Sequence, residues 1–288
     1  MPRIIDRLYA AVEDKGHVCL GLDTDLSYLP QDFSDSYISP REKIFHFNKR
    51  IIDATLDVAA VYKVQIAYYE ALGIDGFLAY SQTLQYLRDK GAIVIADVKR
   101  GDIAKTAEMY AKAHLEGALE ADFITVNPFM GMDTLKPFYP YLKTGDKGLF
   151  ALVATSNPGA GDLQGITAAD GESVSEKLGQ MLEREGEQFL GKCGYSAIGA
   201  VVGCTNREQT LRIRQRLPRT FFLIPGYGAQ GGKAEDMKDY FKNGNGGVVN
   251  SSRGILLAYK KPEFSGLPFD EAARAETIRM REEIKSAV

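Results

Sequence analysis

The sequence predicts a single α/β domain folded as a parallel (β/α)8 TIM barrel, and three observations carry that prediction. Eight short apolar runs recur along the 288 residues, separated by segments long enough for helices. No linker-like tract rich in proline, serine or glycine divides the chain. Polar or glycine residues follow nearly every run. In a parallel barrel these positions are the carboxyl ends of the strands, where the functional groups lie. The predicted strands are His17–Leu22, Ala60–Gln65, Ile93–Asp97, Phe123–Val126, Leu149–Ala154, Ala197–Gly203, Phe221–Pro225 and Gly247–Asn250.

Between these strands the sequence predicts helices and one insertion. Ser39-Pro40-Arg41-Glu42 is a capping box with proline at the first helical position, and it opens a helix through about Asp57. Another helix is predicted over Thr106 to Gly117. Residues 155–196 are longer than a plain connection, so we expect a loop-helix insertion, helical from Glu172 to Leu190, within one domain spanning residues 1–288.

Composition limits the possible partners. A chain with 45% hydrophobic and 25% charged residues can bury a full core, and a formal net charge of −3 with interspersed signs argues against nucleic-acid binding. The first residues mix charges among apolar positions, and no run approaches the roughly 18 apolar residues of a membrane span. Cys19, Cys193 and Cys204 lack disulfide or zinc-site spacing, so we expect no disulfide framework, no bound zinc and a reducing cytoplasmic location.

The segment Asp97-Val98-Lys99-Arg100-Gly101-Asp102 places two acids and a lysine directly after the third apolar run. Alternate residues of a strand share a face, so Asp97 and Lys99 are expected to point the same way, with Asp102 on the turn beyond. A structural ion pair with a helix cap is the ordinary explanation of such spacing. The other strand ends favour a functional site, because polar or glycine residues follow them too: Asp23, Lys63, Asn127, Thr155, Ser156, Gly226 and Ser251 to Arg253.

The glycine-rich segment Pro225 to Gly232 formally matches the G-x-G-x-x-G fingerprint of dinucleotide-binding folds. That fingerprint belongs near the first strand and requires an acid about 20 residues later, where this chain has Asn250, Ser251 and Ser252. A dinucleotide fold is therefore disfavoured. Barrel enzymes frequently bind phosphate with the loops after strands seven and eight, and Arg253 adds a fork-shaped cation there. We expect a phosphate site in these loops.

Together these segments resemble the orotidine 5′-phosphate decarboxylase family, in its longer bacterial-type branch with the K-R-G-D-I motif. Val98 departs from the smaller residue expected in that branch, and its side chain should face the barrel wall. The resemblance spans nearly the whole chain and rests on Gly21-Leu22-Asp23, Tyr62-Lys63 with Gln65, Asp97 to Ile103 with Thr106, Asn127-Pro128-Phe129, Thr155 to Gly159, Pro225 to Gly232 and Asn250 to Gly254.

The resemblance implies a homodimer that removes the C6 carboxylate of orotidine 5′-monophosphate to give uridine 5′-monophosphate (UMP) and carbon dioxide, without cofactor or metal. This is the last step of de novo pyrimidine synthesis. Lys99 would protonate C6 beside Lys63 and Asp97, and Asp102 would reach the neighbouring subunit's site. The lid would be Asn157–Gln164. The resemblance implies that Asp23, Lys63 and Thr106 contact the ribose and that Ser156 contacts the pyrimidine. Gln230 and Arg253 would contact the phosphate. Four more residues are implied as substrate contacts without an assigned group: Asn127, Thr155, Gly228 and Ser252.

Two alternatives remain at this point. A magnesium-dependent sugar-phosphate synthase or decarboxylase of the same barrel superfamily shares D-x-K-x-x-D but places a metal ion on an enediolate. Lys63, Thr155-Ser156 and the long fifth loop fit a nucleotide better, because a base must also be bound. The second alternative is a non-catalytic nucleotide-binding barrel, although no member of the charged set is missing.

Overall fold

A computed structural model describes residues 2–204, 207–228, 232 and 234–288. Its strands close into one eight-stranded barrel in which every neighbouring pair is parallel, including β1 with β8. The strands are β1 Val18–Gly21, β2 Val61–Gln65, β3 Val94–Arg100, β4 Phe123–Val126, β5 Gly148–Ala154, β6 Ser196–Val202, β7 Thr220–Ile224 and β8 Gly247–Ser251. The predicted barrel is confirmed, and each predicted run overlaps one strand.

Helices alternate with the strands around the outside of the barrel. They are α1 Ile4–Lys15, α2 Gln31–Asp35, α3 Pro40–Thr55, α4 Ile66–Glu70, α5 Gly73–Asp89, α6 Ala104–Leu115, α7 Tyr139–Thr144, α8 Val174–Gly186, α9 Arg207–Arg216, α10 Arg253–Leu256 and α11 Phe269–Ala287. Both halves of the predicted capping box form at the start of α3. Helix α6 lies two residues earlier than predicted at each end. None of the helices in the described ranges combines the length and apolar character needed to cross a bilayer.

Helix α1 covers the end of the barrel where the strands begin. Its buried face packs on the core, and it forms hydrogen bonds with the loops that lead into three strands. The Ile4 amide donates to Gly145 O before β5 at 2.6 Å, and Tyr9 O accepts from the Asn245 side chain before β8 at 3.3 Å. Asp6 accepts from the Cys193 amide before β6 at 2.8 Å. A ligand therefore reaches the barrel interior from the opposite end, where the strands finish.

The segment between β5 and β6 contains the expected loop and helix. It begins with a 3-10 turn over Pro158–Asp162, continues through an antiparallel bridge between Thr167 and Ser173, and ends in α8. Ser173 caps α8 through a second capping box with Glu176. A 3-10 turn over Glu187–Phe189 follows α8, so the helical part is shorter than the predicted Glu172–Leu190.

Strand β3 continues to Arg100, three residues past its predicted end at Asp97. Its register with β4 shifts between Ala96 and Arg100, and Lys99 adopts φ = +45°. Such a conformation costs of order 1–3 kcal/mol for a residue with a side chain. Two hydrogen bonds hold it, because the Lys99 amide donates to Thr125 Oγ1 at 2.8 Å and Arg100 O accepts from the Asn127 amide at 2.7 Å. Lys99 thus lies on an irregularity within the strand.

His114 of α6 is buried beside this strand end and is neutral. Its Nε2 accepts a hydrogen bond from Arg100 Nε at 3.1 Å, so the ring proton belongs on Nδ1, which is buried without a partner in the described structure. Burial, together with the Arg100 charge, lowers the pKa of His114 to about 4.

We predict that His114 makes the protein less stable as the pH falls from about 6.5 to 4. His114 binds a proton near pH 6.5 in the unfolded chain but only near pH 4 in the folded protein. Its full contribution to the free energy of unfolding is therefore present above this pH range and is lost as the pH falls through it. The loss from His114 amounts to at most about 3 kcal/mol. Urea unfolding of the wild type and His114→Phe across this range measures it. The wild type should lose stability relative to the variant as the pH falls, whereas parallel curves would contradict the assignment.

Candidate active site

The carboxyl ends of the first three strands bring four charged side chains into a row. Lys63 Nζ lies 2.8 Å from Asp23 Oδ1 and 3.2 Å from Asp97 Oδ2. Lys99 Nζ lies 2.6 Å from Asp97 Oδ1, so Asp97 and Lys99 do share a face. Charges of opposite sign therefore alternate along Asp23, Lys63, Asp97 and Lys99, and we name this set the charged row.

The Asp97 carboxylate is buried, and each of its oxygens has two polar partners. Oδ1 accepts from Lys99 Nζ and from Thr125 Oγ1, the latter at 2.8 Å. Oδ2 accepts from Gln65 Nε2 at 2.8 Å and lies beside Lys63 Nζ. These groups replace the water that the ion has lost, so the carboxylate has one well-defined orientation.

The buried pair Asp97 and Lys63 is ionised at neutral pH. Burial alone would raise the pKa of Asp97, but Lys63 and Lys99, with the Thr125 hydrogen bond, lower it to about 2. Burial would lower the pKa of Lys63, but the carboxylates of Asp23 and Asp97 outweigh that effect and raise it above the usual value. The site therefore presents fixed charges rather than a neutral hydrogen-bonded cluster.

Among the cavities at this end of the barrel, two adjoin each other, and the charged row lies where they meet. The larger has a volume of about 410 Å³ and the smaller about 250 Å³. Both are lined by Lys63, Asp97, Pro225 and Asn250. The larger cavity is completed by Lys99, Thr125, Leu152, Thr155, Ser156, Asn157, Val201 and Leu223. The smaller cavity is completed by Asp23, Tyr68, Gly226, Tyr227, Ser251, Ser252, Arg253 and Gly254.

The smaller cavity has a cation at its rim and a hydroxyl beside the charged row. Ser252 Oγ donates to Asp23 Oδ2 at 2.8 Å, on the carboxylate oxygen that Lys63 does not contact. Arg253 is exposed, and no carboxylate within the described ranges pairs with it. An unpaired guanidinium beside the turn at Gly226 suits a phosphate group.

Gly21 explains why the end of β1 approaches β8 so closely. A Cβ atom on Gly21 would lie 1.9 Å from Ser252 Oγ and 3.1 Å from Asn250 Oδ1. Only glycine therefore leaves room for the hydroxyl that donates to Asp23. The glycine of the Gly21-Leu22-Asp23 segment is required by packing against β8 rather than by its own backbone angles.

The end of β5 forms the far wall of the larger cavity. Thr155 and Ser156 both line it, but the Thr155 hydroxyl is already bonded, since it accepts from Gln164 Nε2 at 2.8 Å and donates to Asn157 Oδ1 at 2.7 Å. The Thr155 amide also donates to Gln164 Oε1 at 2.8 Å. Ser156 is thus the better placed of the two for contact with a ligand.

Several expected site residues lie outside both cavities of the single chain. The Asp102 carboxylate accepts from the Ile103 amide at 2.8 Å, and the Asn127 side chain accepts from the Phe129 amide at 3.1 Å. Thr106 is exposed on the first turn of α6. None of these three lines the cavities within the described structure.

The glycine-rich loop is described in part. Gly228 adopts φ = +66° and its amide donates to Gly232 O at 3.0 Å. Gly228 does not line the cavities, whereas Gly226 does. The predicted phosphate contact Gln230 lies outside the described residues.

Three polar residues of the site were not among the predicted contacts. Thr125 supports Asp97 and the Lys99 amide, Gln65 supports Asp97, and Asn250 lines both cavities. A signal for Thr125 exists in the sequence, because it is the polar residue of an otherwise apolar strand and lies two residues before Asn127. Gln65 and Asn250 give a similar signal, because each is a polar residue at the end of a largely apolar strand, β2 and β8 respectively.

The chain is similar to characterised proteins over nearly its whole length. Residues 16–264 match the model of the orotidine 5′-phosphate decarboxylase / HUMPS family. An orotidine 5′-phosphate decarboxylase of Clostridium novyi (strain NT) is 59% identical over 284 residues, 99% of each chain. Another, of Clostridium acetobutylicum, is 58% identical over 285 residues, 99% of this chain and all of the other. The crystal structure of a protein of Streptomyces avermitilis, described as a possible orotidine 5′-phosphate decarboxylase, has a TM-score of 0.83 and 31% identity and covers 100% of this chain and 96% of its own.

We predict that Gly21→Ala destabilises the protein through Ser252. The added methyl group must displace the hydroxyl or the strand end, which costs about 1–3 kcal/mol in a packed interior. Gly161→Ala is the matched control, because nothing lies within 4 Å of a Cβ at that position. Urea unfolding should show a loss for Gly21→Ala and a change within about 0.5 kcal/mol for Gly161→Ala. Equal stability of the two variants would contradict the packing role of Gly21.

Proposed function

The chain belongs to the orotidine 5′-phosphate decarboxylase / HUMPS family, and we propose from that premise how its residues release carbon dioxide from orotidine 5′-monophosphate. The protein is a carboxy-lyase that forms UMP, the last step of pyrimidine biosynthesis. The relatives that share more than half of its residues bear the decarboxylase name, which disfavours the sugar-phosphate and non-catalytic alternatives.

The charged row lies between two cavities, and this observation supports the proposal that one cavity binds the base of the nucleotide and the other its phosphate. A nucleotide has a base at one end and a phosphate at the other, with the sugar between them. The larger cavity, with Ser156 on its wall, would hold the pyrimidine. The smaller cavity, with Arg253, would hold the phosphate. The reacting carbon would then lie beside Lys99.

Lys99 is the proposed proton donor. When the C6–carboxylate bond breaks, the electron pair stays on an sp² carbon whose orbital does not overlap with the ring π system. A fixed cation next to this carbon lowers the energy of the transition state. A proton then passes from Lys99 Nζ to C6, and the neutral amine regains a proton from water. Asp97 and Lys63 hold the Lys99 ammonium group in position.

Electrostatic stabilisation by Lys99 supplies only part of the rate. A unit charge about 4 Å away is worth roughly 4 kcal/mol at an effective dielectric of 20, or about three decades in rate. Contacts to the distant phosphate and ribose would supply more, by closing the lid Asn157–Gln164 and excluding water from the reacting carbon. Asp97 would also oppose the substrate carboxylate and so favour its release.

The remaining substrate contacts follow from the same orientation. Asp23 and Lys63, at the junction of the cavities, would bind the ribose hydroxyls, and Ser156 would bind the amide edge of the pyrimidine. The phosphate would be bound at Arg253 and Gln230, next to Gly228 and Ser252. Thr155 would act by shaping the wall that presents Ser156, because its own hydroxyl is already bonded.

We further propose that the enzyme is a homodimer in which Asp102 completes the partner's site, with Thr106 beside it at the partner's ribose. Exposed apolar side chains occur in the segments next to Asp102 and just after β4: Ile103 is 56% and Phe129 74% exposed. Met109 of α6 and Met130, which follows Phe129, are exposed as well. Apolar patches of this kind are typical of interfaces, and a twofold arrangement would give each site one Asp102.

A cytoplasmic location is part of the same proposal. The thiols of Cys19, Cys193 and Cys204 are all free, which fits a reducing compartment.

We predict that two inactive variants, Lys99→Ala and Asp102→Asn, restore decarboxylation when they are mixed. In a mixed dimer one site receives the intact lysine of one chain and the intact acid of the other, whereas the second site has neither. Random exchange of subunits should restore about a quarter of wild-type turnover, because half of the dimers have one working site of two. The absorbance change of orotidine 5′-monophosphate measures this recovery after the subunits have been unfolded and refolded together.

A mixture of Lys99→Ala with Asp97→Asn is the control. Both residues belong to one charged row within a chain, so a mixed dimer has no intact site and should remain inactive. Failure of the first mixture to recover would place Asp102 in its own subunit's site. Full turnover by either single variant would contradict the proposed role of that residue.

A further inference from the structure

A buried set of polar side chains lies behind the end of β1, outside both cavities. Its members are Thr24 after β1, Asn48 of α3, Tyr69 of α4 and Thr83 of α5, and each is 1% exposed or less. We name these four residues the buried network. Asn48 is its centre, since Oδ1 accepts from Thr24 Oγ1 at 2.7 Å while Nδ2 donates to Tyr69 Oη at 2.8 Å and to Thr83 Oγ1 at 3.2 Å.

The hydrogen bonds of the buried network have only one consistent direction. Tyr69 Oη donates to Leu22 O at 3.0 Å, and Thr83 Oγ1 donates to Ala79 O at 2.8 Å. Backbone carbonyls only accept, so both hydroxyls must accept from Asn48. Every hydroxyl and amide group of the network is thus bonded within the protein. A buried network that is fully satisfied holds its members in one arrangement.

This arrangement fixes the chain on both sides of Asp23. Leu22 O accepts from Tyr69, and the Leu22 amide donates to Lys63 O at 2.7 Å. On the other side, the Thr24 hydroxyl donates to Asn48. Strand β1 ends at Gly21, so Asp23 lies beyond the strand, and the buried network replaces the backbone pairing that a longer strand would provide.

We propose that Asn48 and Tyr69 are positioning residues that determine the selectivity of the site for a sugar with free hydroxyls. They touch no substrate and act through Asp23, so the inference rests on the proposed role of Asp23 at the ribose. A small movement of the Asp23 carboxylate would weaken hydrogen bonds to the ribose hydroxyls, while contacts to base and phosphate would be kept.

Tyr80 provides a matched control for Tyr69. Both rings are fully buried, and their centroids are 5.3 Å apart. The Tyr80 hydroxyl, however, has no hydrogen-bond partner within the described ranges. Removal of that hydroxyl should therefore leave the end of β1 unchanged, whereas Tyr69→Phe releases Leu22 O and one Asn48 N–H group.

The experiment measures the affinity of the dimer for UMP and for 2′,3′-dideoxyuridine 5′-monophosphate, which lacks both ribose hydroxyls. Isothermal titration of wild type, Tyr69→Phe and Tyr80→Phe gives the preference for UMP as a ratio of dissociation constants. Tyr69→Phe should reduce this preference roughly tenfold, the size expected for one lost hydrogen bond. Tyr80→Phe should keep the wild-type preference. Thr24→Val, which removes the hydrogen bond to Asn48, should behave like Tyr69→Phe and is the substitute variant if Tyr69→Phe does not fold.

A purely structural role for the buried network would weaken the binding of both nucleotides equally, or would lower only the melting temperature, and either result would overturn the inference. Asp23→Ala separates this failure from that of the proposed function. Loss of the preference in Asp23→Ala but not in Tyr69→Phe would overturn the role of the network alone. An unchanged preference in Asp23→Ala would overturn the role of Asp23 and the inference that rests on it.

Discussion

The site depends on the need to keep the carboxylate of Asp97 charged in the interior of a barrel. An isolated ion there is strongly unfavourable, so the surrounding strands each contribute a donor: Lys63 and Gln65 from β2, Lys99 from β3 itself and Thr125 from β4. Two of these donors are cations, and one of them is the group that faces the reacting carbon in the proposed mechanism. The interaction that stabilises the buried acid is therefore the same interaction that orients the lysine.

The sequence predicts this arrangement as far as local rules extend. Alternation along a strand places Asp97 and Lys99 on one face, and the barrel brings Lys63 and Asp23 to the same edge, because all parallel strands finish there. Both rules require only the order of residues. Arg253 lines the smaller cavity for the same reason, since the loop after β8 lies at that edge.

Features that depend on contacts between distant segments were not predictable. The strand irregularity at Lys99 is held by Thr125 of β4 and by Asn127, which follows β4 directly. The Asn127 side chain accepts from the Phe129 amide and lines neither cavity. The buried network joins α3, α4 and α5 behind Asp23. Its members are far apart in the sequence, so the pattern of any one helix does not predict their contacts. Asp102 lines neither cavity of its own chain, and its proposed role belongs to an assembly of two chains.

The most direct test of the account follows turnover of orotidine 5′-monophosphate in the presence of EDTA, by wild type, Lys99→Ala and Lys285→Ala. The last variant removes an exposed lysine of α11 that lines neither cavity. We expect the wild type and Lys285→Ala to decarboxylate the substrate, and Lys99→Ala to lose at least about three decades in kcat while it still binds UMP. Normal turnover by Lys99→Ala, or a wild type that requires added magnesium, would contradict a metal-free mechanism centred on Lys99.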